Sequence, residues 1–460
     1  MLLAAIILVT PFLIRGSWDT VGKEPFLLDR LSKDFLLQGK QAQDTLSFSG
    51  RPWSYPLGTV LVAATLKKIA SPFFVLLILP LLLGILTAGL FYASINHLHQ
   101  NKKVAFIATI LLVISPSFIY TFVFLKEFTI PLFLAMLAGH LLICRKHLAA
   151  YLFLALMAGF GIEHFIIALV MLFLARTPEQ KTKATIATLL ILILGMVLYF
   201  PLLFQYGLPE LFSFEQRNPL FNIFSDFGSR FGISIFLIFL AFFGLKEFWK
   251  EKYTHSRMYT ALAILMLLTI IKASFIIYAT FLLALLSALG MLYLFNARWE
   301  SRTIKDLTIF ILILGLLFSA ISFLNNYENA QPSPELVESL QSLSQVSSPE
   351  EVILSHYSYG IWINSIASRK NVMDEKAFYA PQVNERFQDI EELFQSRNLE
   401  RTQTLLKKYQ IAYIYITPEM KQGRVWQSEE QGLLFVLKFS QDEFTRIYHQ
   451  NGIEIWKVRT

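Results

Sequence analysis

Five ionisable side chains stand where hydrophobic segments of this sequence begin or end. They are Glu24, Glu127, Glu163, Glu215 and Lys272. A charge at a membrane boundary costs free energy unless water or a partner solvates it, and such residues usually mark function. Carboxylate oxygens are the ligands that hard divalent cations require, and an ammonium group can neutralise an anion. The sequence therefore places its chemistry at the ends of its apolar segments.

The composition identifies those segments as membrane helices. Of the 460 residues, 55% are hydrophobic and only 16% are charged, and the mean hydropathy is +0.52. A soluble domain is usually about 25% charged. Apolar runs recur through the first 323 positions, which predicts a polytopic α-helical membrane protein. We predict about 11 transmembrane helices, over 3–15, 71–96, 104–124, 128–144, 148–160, 163–176, 184–204, 230–245, 258–271, 274–295 and 306–323.

The loops between these segments alternate in charge, which predicts their orientation. The short basic loops are 97–103, 145–147, 176–183, 246–257 and 296–306. The positive-inside rule places such loops in the cytoplasm. The N-terminus is then cytoplasmic, and the long loop 16–70, the loop 205–229 and everything after 323 face outwards. The five ionisable residues all fall on this outer face, in what we expect to be a prokaryotic plasma membrane.

The composition changes after the last apolar segment. A polar linker with two prolines, 324–335, precedes a region that predicts a C-terminal soluble α/β domain over 336–460. Its strand patterns include IAYIYIT at 411–417 and IEIWKV at 453–458. We assign 1–323, including the long loop 16–70, to the membrane domain. The C-terminal domain has no glycine-rich phosphate loop and no metal-type His/Cys spacing, so its chemistry would depend on the membrane domain.

Several classes of function are not favoured. The net charge is +7, and the basic residues lie in short loops between apolar segments, where they act as signals of membrane topology. We therefore predict no nucleic-acid partner. The single cysteine, Cys144, allows neither an intrachain disulfide nor a cysteine-based metal site. A transporter more often places its ionisable residues near the membrane midplane, within repeated halves. The sequence has no such repeat, so an enzyme is favoured.

Two stretches near the N-terminus resemble the GT-C superfamily of membrane glycosyltransferases, and specifically the catalytic subunit of the oligosaccharyltransferase. Glu24-Pro25-Phe26-Leu27-Leu28-Asp29-Arg30 is similar to that family's Asp-Pro-Trp-Phe-Asn-Tyr-Arg. Tyr55-Pro56-Leu57-Gly58 follows, as a Tyr-Pro-Leu-Gly element often does in the family. The resemblance extends over nearly the whole chain, and this pair of elements is its most specific part.

Three further stretches continue the resemblance with departures from the family pattern. Leu125-Lys126-Glu127 keeps only the Glu of the family's acidic Asp-x-Glu pair. Ser213-Phe214-Glu215-Gln216 resembles the late outer loop whose Glu touches the acceptor amide. His356-Tyr357-Ser358-Tyr359-Gly360 stands where the family has Trp-Trp-Asp-Tyr-Gly, which reads the acceptor sequon.

The resemblance implies a set of site residues. It implies catalytic roles for Glu24 and Glu215. It implies a divalent cation, Mg²⁺ or Mn²⁺, on Glu24 and Glu127. Glu163 and His164 are further candidate ligands because they interrupt an apolar stretch, where a carboxylate is costly. It implies donor-phosphate binding by Arg30, Arg217 and Lys272, and acceptor binding by Glu215, Tyr357, Ser358 and Tyr359. The ordinary alternative for each charged residue is an ion pair at a wet interface.

Three hypotheses of function follow. The first is an oligosaccharyltransferase-like GT-C enzyme that moves a sugar or oligosaccharide from a polyprenyl-(pyro)phosphate donor to an external protein or glycan. The second is a GT-C enzyme that uses a polyprenyl-phosphate monosaccharide and a glycan or lipid acceptor. The incomplete acidic pair and the altered Trp-Trp-Asp favour this second hypothesis. The third is a non-catalytic, degenerate membrane scaffold.

Overall fold

The computed structural model describes the chain except residues 40, 42, 56, 176–179, 208–222, 230–231, 250–252, 254–255, 329 and 460, and the side chains of 202, 247, 248 and 328. The described residues form two compact units. Unit 1 comprises Met1–Thr20, Pro56–Pro201 and Glu215–Asn329, and unit 2 comprises Val21–Tyr55, Leu202–Phe214 and Ala330–Thr460.

The main helices and the strands are numbered in chain order. The helices are α1 Leu2–Arg15, α2 Lys23–Gln38, α3 Leu57–Lys67, α4 Leu79–His99, α5 Lys102–Val113, α6 Pro116–Val123, α7 Thr129–Ile143, α8 His147–Ala158, α9 Ile162–Ala175, α10 Lys181–Tyr206, α11 Ile235–Trp249, α12 Ser256–Ile271, α13 Ile276–Asn296, α14 Arg302–Glu328, α15 Pro334–Val346, α16 Val383–Gln395, α17 Leu399–Lys408 and α18 Gly432–Phe439. The strands are β1 Gln43–Asp44, β2 Arg51–Pro52, β3 Val352–Leu354, β4 Lys370–Asn371, β5 Ile411–Ile416, β6 Phe444–Gln450 and β7 Ile453–Val458.

Unit 1 is helical, and each predicted apolar segment overlaps one of its helices. Four described helices are long and apolar enough to cross a membrane: Phe74–His99, Lys181–Tyr206, Ala273–Asn296 and Arg302–Tyr327. The pair α5 and α6 makes a fifth if it counts as one span. The chain is therefore an integral membrane protein, as predicted, while the count of about 11 crossings stays a prediction because the other apolar helices are shorter.

The prediction of one helix over 104–124 is wrong. The structure breaks it into α5 and α6, which are bent by 65°. Ser115 starts the second helix because its side chain accepts a hydrogen bond from the N–H of Phe118, and Pro116 follows. A serine N-cap before a proline at the first helical position is a strong start signal, so the chain begins a new helix there.

Helices α11 and α13 approach so closely that only glycine fits at their crossing. A Cβ atom on Gly244 would lie 1.9 Å from the carbonyl oxygen of Leu286, and one on Gly290 would lie 2.0 Å from that of Leu240. Small residues of this kind let membrane helices pack backbone against backbone. Helix α13, which carries part of the candidate site, is thereby fixed in unit 1.

Unit 2 is built on a five-stranded mixed sheet with the order β4-β3-β5-β7-β6. Strand β3 is parallel to β4 and β5, whereas β7 is antiparallel to β5 and β6. Helix α15 buries Leu336, Leu340 and Leu343 in the core beside these strands. Their spacing of four and three residues puts them on one helical face, so the core follows directly from the sequence pattern.

The domain borders differ from the predicted ones in two places. Residues 21–55 of the predicted membrane-domain loop belong to unit 2, with α2 and the β1–β2 pair. Helix α14 runs into the predicted linker 324–335, because no proline or glycine lies between Gly315 and Pro332.

A buried ionic network ties residues 21–55 into unit 2. Arg30 donates two hydrogen bonds of 2.9 Å to the two carboxylate oxygens of Asp44. Arg51 bridges Asp44 at 3.0 Å and Asp374 at 2.6 Å. Tyr55 donates to Asp44 at 2.9 Å. Burial alone would raise the pKa of Asp44, but the guanidinium groups of Arg30 and Arg51 hold it well below its usual range.

Candidate active site

Three turns of unit 1 bring predicted site residues together. Glu127 lies in the turn between α6 and α7, and Glu163 and His164 lie in the first turn of α9. Lys272 lies between α12 and the short helical turn that leads into α13. We call Glu127, Glu163, His164 and Lys272, with Ser274 and Tyr278 from the third turn, the turn cluster. The loop parity predicted that these turns share one side of the membrane, and they meet in the structure.

The carboxylate of Glu163 is the centre of the turn cluster. It is buried, at 5% exposure. Lys272 forms a close ion pair with Oε1, and the hydroxyl of Ser274 donates to Oε2 at 2.8 Å. The Lys272 side chain is 50% exposed, so its ammonium can leave the carboxylate for water or for another anion. A buried acid whose counter-charge reaches the solvent is a candidate for ligand binding.

His164 is held beside this carboxylate. Its Nδ1 lies 2.7 Å from the hydroxyl of Tyr278, and its ring packs edge-on against Phe128 at 4.9 Å. The backbone of Glu127 interacts with the same imidazole, and the charges of Glu127 and Glu163 both act on the Tyr278 phenol. The charges of both carboxylates therefore reach Tyr278, whose hydroxyl bonds to His164.

The position of Glu127 follows from local hydrogen bonds. The hydroxyl of Thr129, in the first turn of α7, donates to the carbonyl of Thr121 in α6 at 2.7 Å. Leu125 donates its N–H to the carbonyl of Leu76, which lies in the π-helical turn Phe74–Ile78. π-Helical turns occur frequently at functional sites. The turn that carries Glu127 is thus fixed from both sides.

A divalent cation at the turn cluster would have few protein ligands. Among the described residues, no group of three or more His, Cys, Asp or Glu side chains is arranged to hold a metal ion. Mg²⁺, however, is usually bound through one or two carboxylates, with water and substrate phosphates as the other ligands. Glu127 and Glu163 would be those carboxylates, and Lys272 would have to leave Glu163.

The second predicted site element lies in unit 2, directly after β3. His356 caps the 3₁₀ turn Tyr357–Tyr359, and its Nδ1 lies 2.7 Å from the hydroxyl of Ser358. Arg424 donates to the same hydroxyl at 3.2 Å. Burial, with the positive charges of Arg424 and Lys23, lowers the pKa of His356 to about 4. The imidazole is therefore neutral at pH 7.

Tyr359 connects this element to the neighbouring parallel strand. Its hydroxyl donates to Oε2 of Glu419 at 3.0 Å, and Glu419 follows β5. Burial raises the pKa of Tyr359 to about 12. Tyr357 is partly exposed and stacks on the ring of His356, with 4.1 Å between ring centres. Of the predicted acceptor residues in this element, Tyr357 is the most accessible, whereas Ser358 and Tyr359 are buried.

Substitution of Gly360 by alanine is expected to destabilise this element. A Cβ atom there would lie 2.4 Å from the carbonyl oxygen of Met373 and 2.5 Å from the Cβ of Asp374. Overpacking of this kind costs about 1–3 kcal/mol. We expect the thermal midpoint of the purified protein to fall by several degrees, while Gln345→Ala on the exposed face of α15 leaves it unchanged. Equal midpoints for both variants would show that the backbone can move aside.

The remaining predicted site residues have different surroundings. Glu24 lies half-buried in the first turn of α2, in unit 2, where a helix N-terminus favours negative charge. Arg30 is buried with both terminal nitrogens bonded to Asp44, so phosphate binding would have to displace that carboxylate. Glu215 and Arg217 lie outside the described residues.

Several residues that the sequence reading did not single out complete these sites. In the turn cluster they are Ser274 and Tyr278. They are four residues apart in the helical segment that follows Lys272, so both lie on the same face of it. In unit 2 they are Glu419 and Arg424. The strand pattern that precedes these two residues could have identified them. The carboxyl ends of the neighbouring parallel strands β3 and β5 meet at one edge of the sheet, so residues that follow β5 lie near those that follow β3.

Comparison with known proteins identifies the fold. No family model matches the chain, and no curated protein sequence matches it. Solved structures do match. The apo oligosaccharyltransferase of Archaeoglobus fulgidus is 14% identical, with a TM-score of 0.63 over 100% of this chain and 74% of that one.

Two ligand-bound structures are similar as well. The archaeal oligosaccharyltransferase AglB from Archaeoglobus fulgidus, in complex with an inhibitory peptide and a dolichol-phosphate, gives a TM-score of 0.59 at 14% identity, over 100% of this chain and 74% of that one. ArnT from Cupriavidus metallidurans, bound to undecaprenyl phosphate, gives 0.52 at 12% identity, over 99% of this chain and 97% of that one. The chain has the fold of the GT-C glycosyltransferases, and the predicted resemblance is confirmed at that level.

Proposed function

We propose that this chain is a GT-C glycosyltransferase that transfers a sugar or an oligosaccharide from a polyprenyl-(pyro)phosphate donor to an external acceptor. The observation that carries the proposal is the turn cluster. In a GT-C fold, it brings together four predicted site residues from three separate turns: Lys272 pairs with the buried Glu163, and Glu127 interacts with His164. The structural neighbours bound to dolichol-phosphate and undecaprenyl phosphate support a donor of this class.

The chemistry of transfer assigns a part to each residue. The bond between the sugar C1 and the phosphate oxygen breaks, a bond from C1 to the acceptor forms, and the acceptor loses a proton. The negative charge that develops on the leaving phosphate must be stabilised. A bound Mg²⁺ or Mn²⁺ would neutralise it. Glu127 and Glu163 would hold that cation, and Lys272 would move from Glu163 to the phosphate. The role of Glu24 as a ligand stays a prediction from the sequence.

The acceptor side rests on other residues. Glu24 and Glu215 would position the acceptor and take up its proton, and Tyr357, Ser358 and Tyr359 would line its groove. Arg30 and Arg217 remain proposed contacts of the donor phosphate. Ser358 stands where the family has the Asp that reads a sequon, and Arg424 and His356 contact its hydroxyl. This arrangement favours the second hypothesis, in which a polyprenyl-phosphate monosaccharide is the donor and a glycan or lipid is the acceptor.

A transfer assay with a matched pair of donors and acceptors tests the proposal. The purified full-length protein receives either a lipid-linked oligosaccharide with an Asn-x-Thr peptide, or a polyprenyl-phosphate monosaccharide with a glycan. We expect transfer in the presence of Mg²⁺ or Mn²⁺, at least a tenfold loss with EDTA, and recovery when the cation is restored, because the two carboxylates otherwise face the phosphate as like charges.

The outcomes separate the hypotheses. Transfer to the peptide supports an oligosaccharyltransferase-like enzyme, and transfer only to the glycan supports the second hypothesis. Activity that EDTA leaves unchanged contradicts the cation. No transfer in either arm contradicts the enzyme and leads to the scaffold hypothesis. Transfer that Glu24→Ala and Glu127→Ala leave unaltered contradicts the assignment of these two residues to the site.

A further inference from the structure

The hairpin of β6 and β7 carries polar side chains on the face opposite to Ile453 and Ile455, beside the core residues Ile414 and Ile416 of β5. Ile453 and Ile455 are buried in the core of unit 2. Side chains alternate along a strand, so Glu454 and Trp456 belong to the opposite face. Glu454 is nonetheless only 7% exposed. A buried carboxylate at this position needs partners, because burial of an unpaired charge is costly.

A β-bulge brings those partners to the same face. Arg446 pairs with Trp456 and His449 pairs with Glu454, and the register shifts between Arg446 and Tyr448. Without the extra residue, positions 446 and 449 would point to opposite sides of the strand. Bulges redirect side chains in this way and are frequent next to functional sites.

The carboxylate of Glu454 gathers four groups. Lys421 forms a close ion pair with Oε1, and Arg446 and His449 each lie 3.7 Å from the same oxygen. The indole N–H of Trp456 donates to Oε2 at 2.8 Å. Burial alone would raise the pKa of Glu454, but the bonds from Lys421 and Trp456 lower it. The carboxylate is ionised and holds three basic side chains around one aromatic ring.

These residues line a groove of about 1020 Å³, which lies within unit 2. Its walls carry four lysine or arginine side chains against two glutamates, one of which is Glu454, and amide groups such as Gln422. The groove is therefore net positive. The guanidinium carbon of Arg446 lies 5.6 Å from the centre of the Trp456 ring, so a ligand at this ring also meets a bidentate donor.

We propose that this groove is a binding site for an anionic oligosaccharide, distinct from the turn cluster. The C–H face of a sugar packs on an indole ring, amides and the Glu454 carboxylate bind its hydroxyl groups, and Lys421, Arg446 and His449 bind its carboxylate or phosphate. A concave groove can enclose an oligosaccharide. A lipid surface would instead be bound by a flat or convex basic patch. The inference goes beyond the proposed transfer reaction and does not depend on it.

Equilibrium binding tests this site without turnover. The full-length protein in nanodiscs of zwitterionic lipid is titrated calorimetrically with tetragalacturonate, and with cellotetraose as a neutral probe of the same length. We expect tetragalacturonate to bind at least tenfold more tightly than cellotetraose. Arg446→Gln, at a side chain that is 45% exposed, is expected to weaken tetragalacturonate binding at least tenfold. Lys407→Gln, on the exposed face of α17, removes the same charge elsewhere in unit 2 and is expected to change nothing.

Other outcomes overturn the proposal. They are equal affinity for both probes, absence of binding, or equal weakening by Arg446→Gln and Lys407→Gln. If Arg446→Gln instead reduces only the retention of anionic lipid by the purified protein, the groove faces a membrane surface and the proposal fails. None of these binding measurements uses a sugar donor or an acceptor. A failure of the groove proposal can therefore be distinguished from a failure of the transferase proposal.

Discussion

Glu163→Gln is expected to lower the rate of sugar transfer about 100-fold or more while the protein still folds. Glutamine keeps the shape of the side chain and an oxygen for the hydroxyl of Ser274, but it removes the charge that holds Lys272 and would hold the cation. Lys272 is half exposed, so water can solvate its ammonium when the carboxylate is gone. The loss should therefore appear in activity and not in stability.

The measurement is the initial rate of transfer at saturating donor, with the thermal midpoint of each preparation as a check on folding. Glu300→Gln is the matched control, because Glu300 is an exposed acid in the loop before α14 and lies outside the turn cluster. A Glu163→Gln protein that keeps full activity would show that the ion pair with Lys272 is only structural. The transferase proposal would then have to rest on Glu24 and Glu127.

Arg51→Met is expected to destabilise unit 2 by about 3–5 kcal/mol, the usual cost of removing one partner from a buried ion pair. Arg51 is 1% exposed and serves two carboxylates, Asp44 and Asp374. Methionine fills part of the space but leaves the negative charges of both acids less compensated. A change of this size lowers a thermal midpoint by roughly 10 °C in a unit of this length.

The effect is to be measured at pH 7. The pKa of Asp44 is lower in the folded protein than in the unfolded chain, so its stabilising contribution is present above the unfolded value, near 4. It is lost only as the pH falls towards the folded value. Arg401→Met is the control, since Arg401 forms an equally close pair with Glu392 but is 46% exposed. Exposed pairs contribute at most about 1 kcal/mol, so similar midpoints for the two variants would contradict the structural role of the network.

Much of the architecture follows from the sequence alone. Hydropathy patterns depend on residues that are close in the sequence, so they can be read without the tertiary structure. They located an apolar helix for each predicted membrane segment of unit 1, and they located the strands around 411–417 and 453–458. The charge parity of the loops placed Glu127, Glu163 and Lys272 on one side, and the structure brings them into one cluster. The resemblance to the GT-C fold, stated from short stretches, is confirmed by solved structures.

Only the tertiary structure decided which charges pair. Arg30, predicted to bind phosphate, is buried against Asp44, and the chain from 21 to 55 joins unit 2 through Arg51 and Asp374. Lys272 meets Glu163 although more than a hundred residues separate them in the chain. Local patterns carry no information about such distances, because an ion pair depends on how separate helices and strands are packed. The sequence thus determined where the membrane helices and their charged turns lie, and packing determined which of those charges form a site.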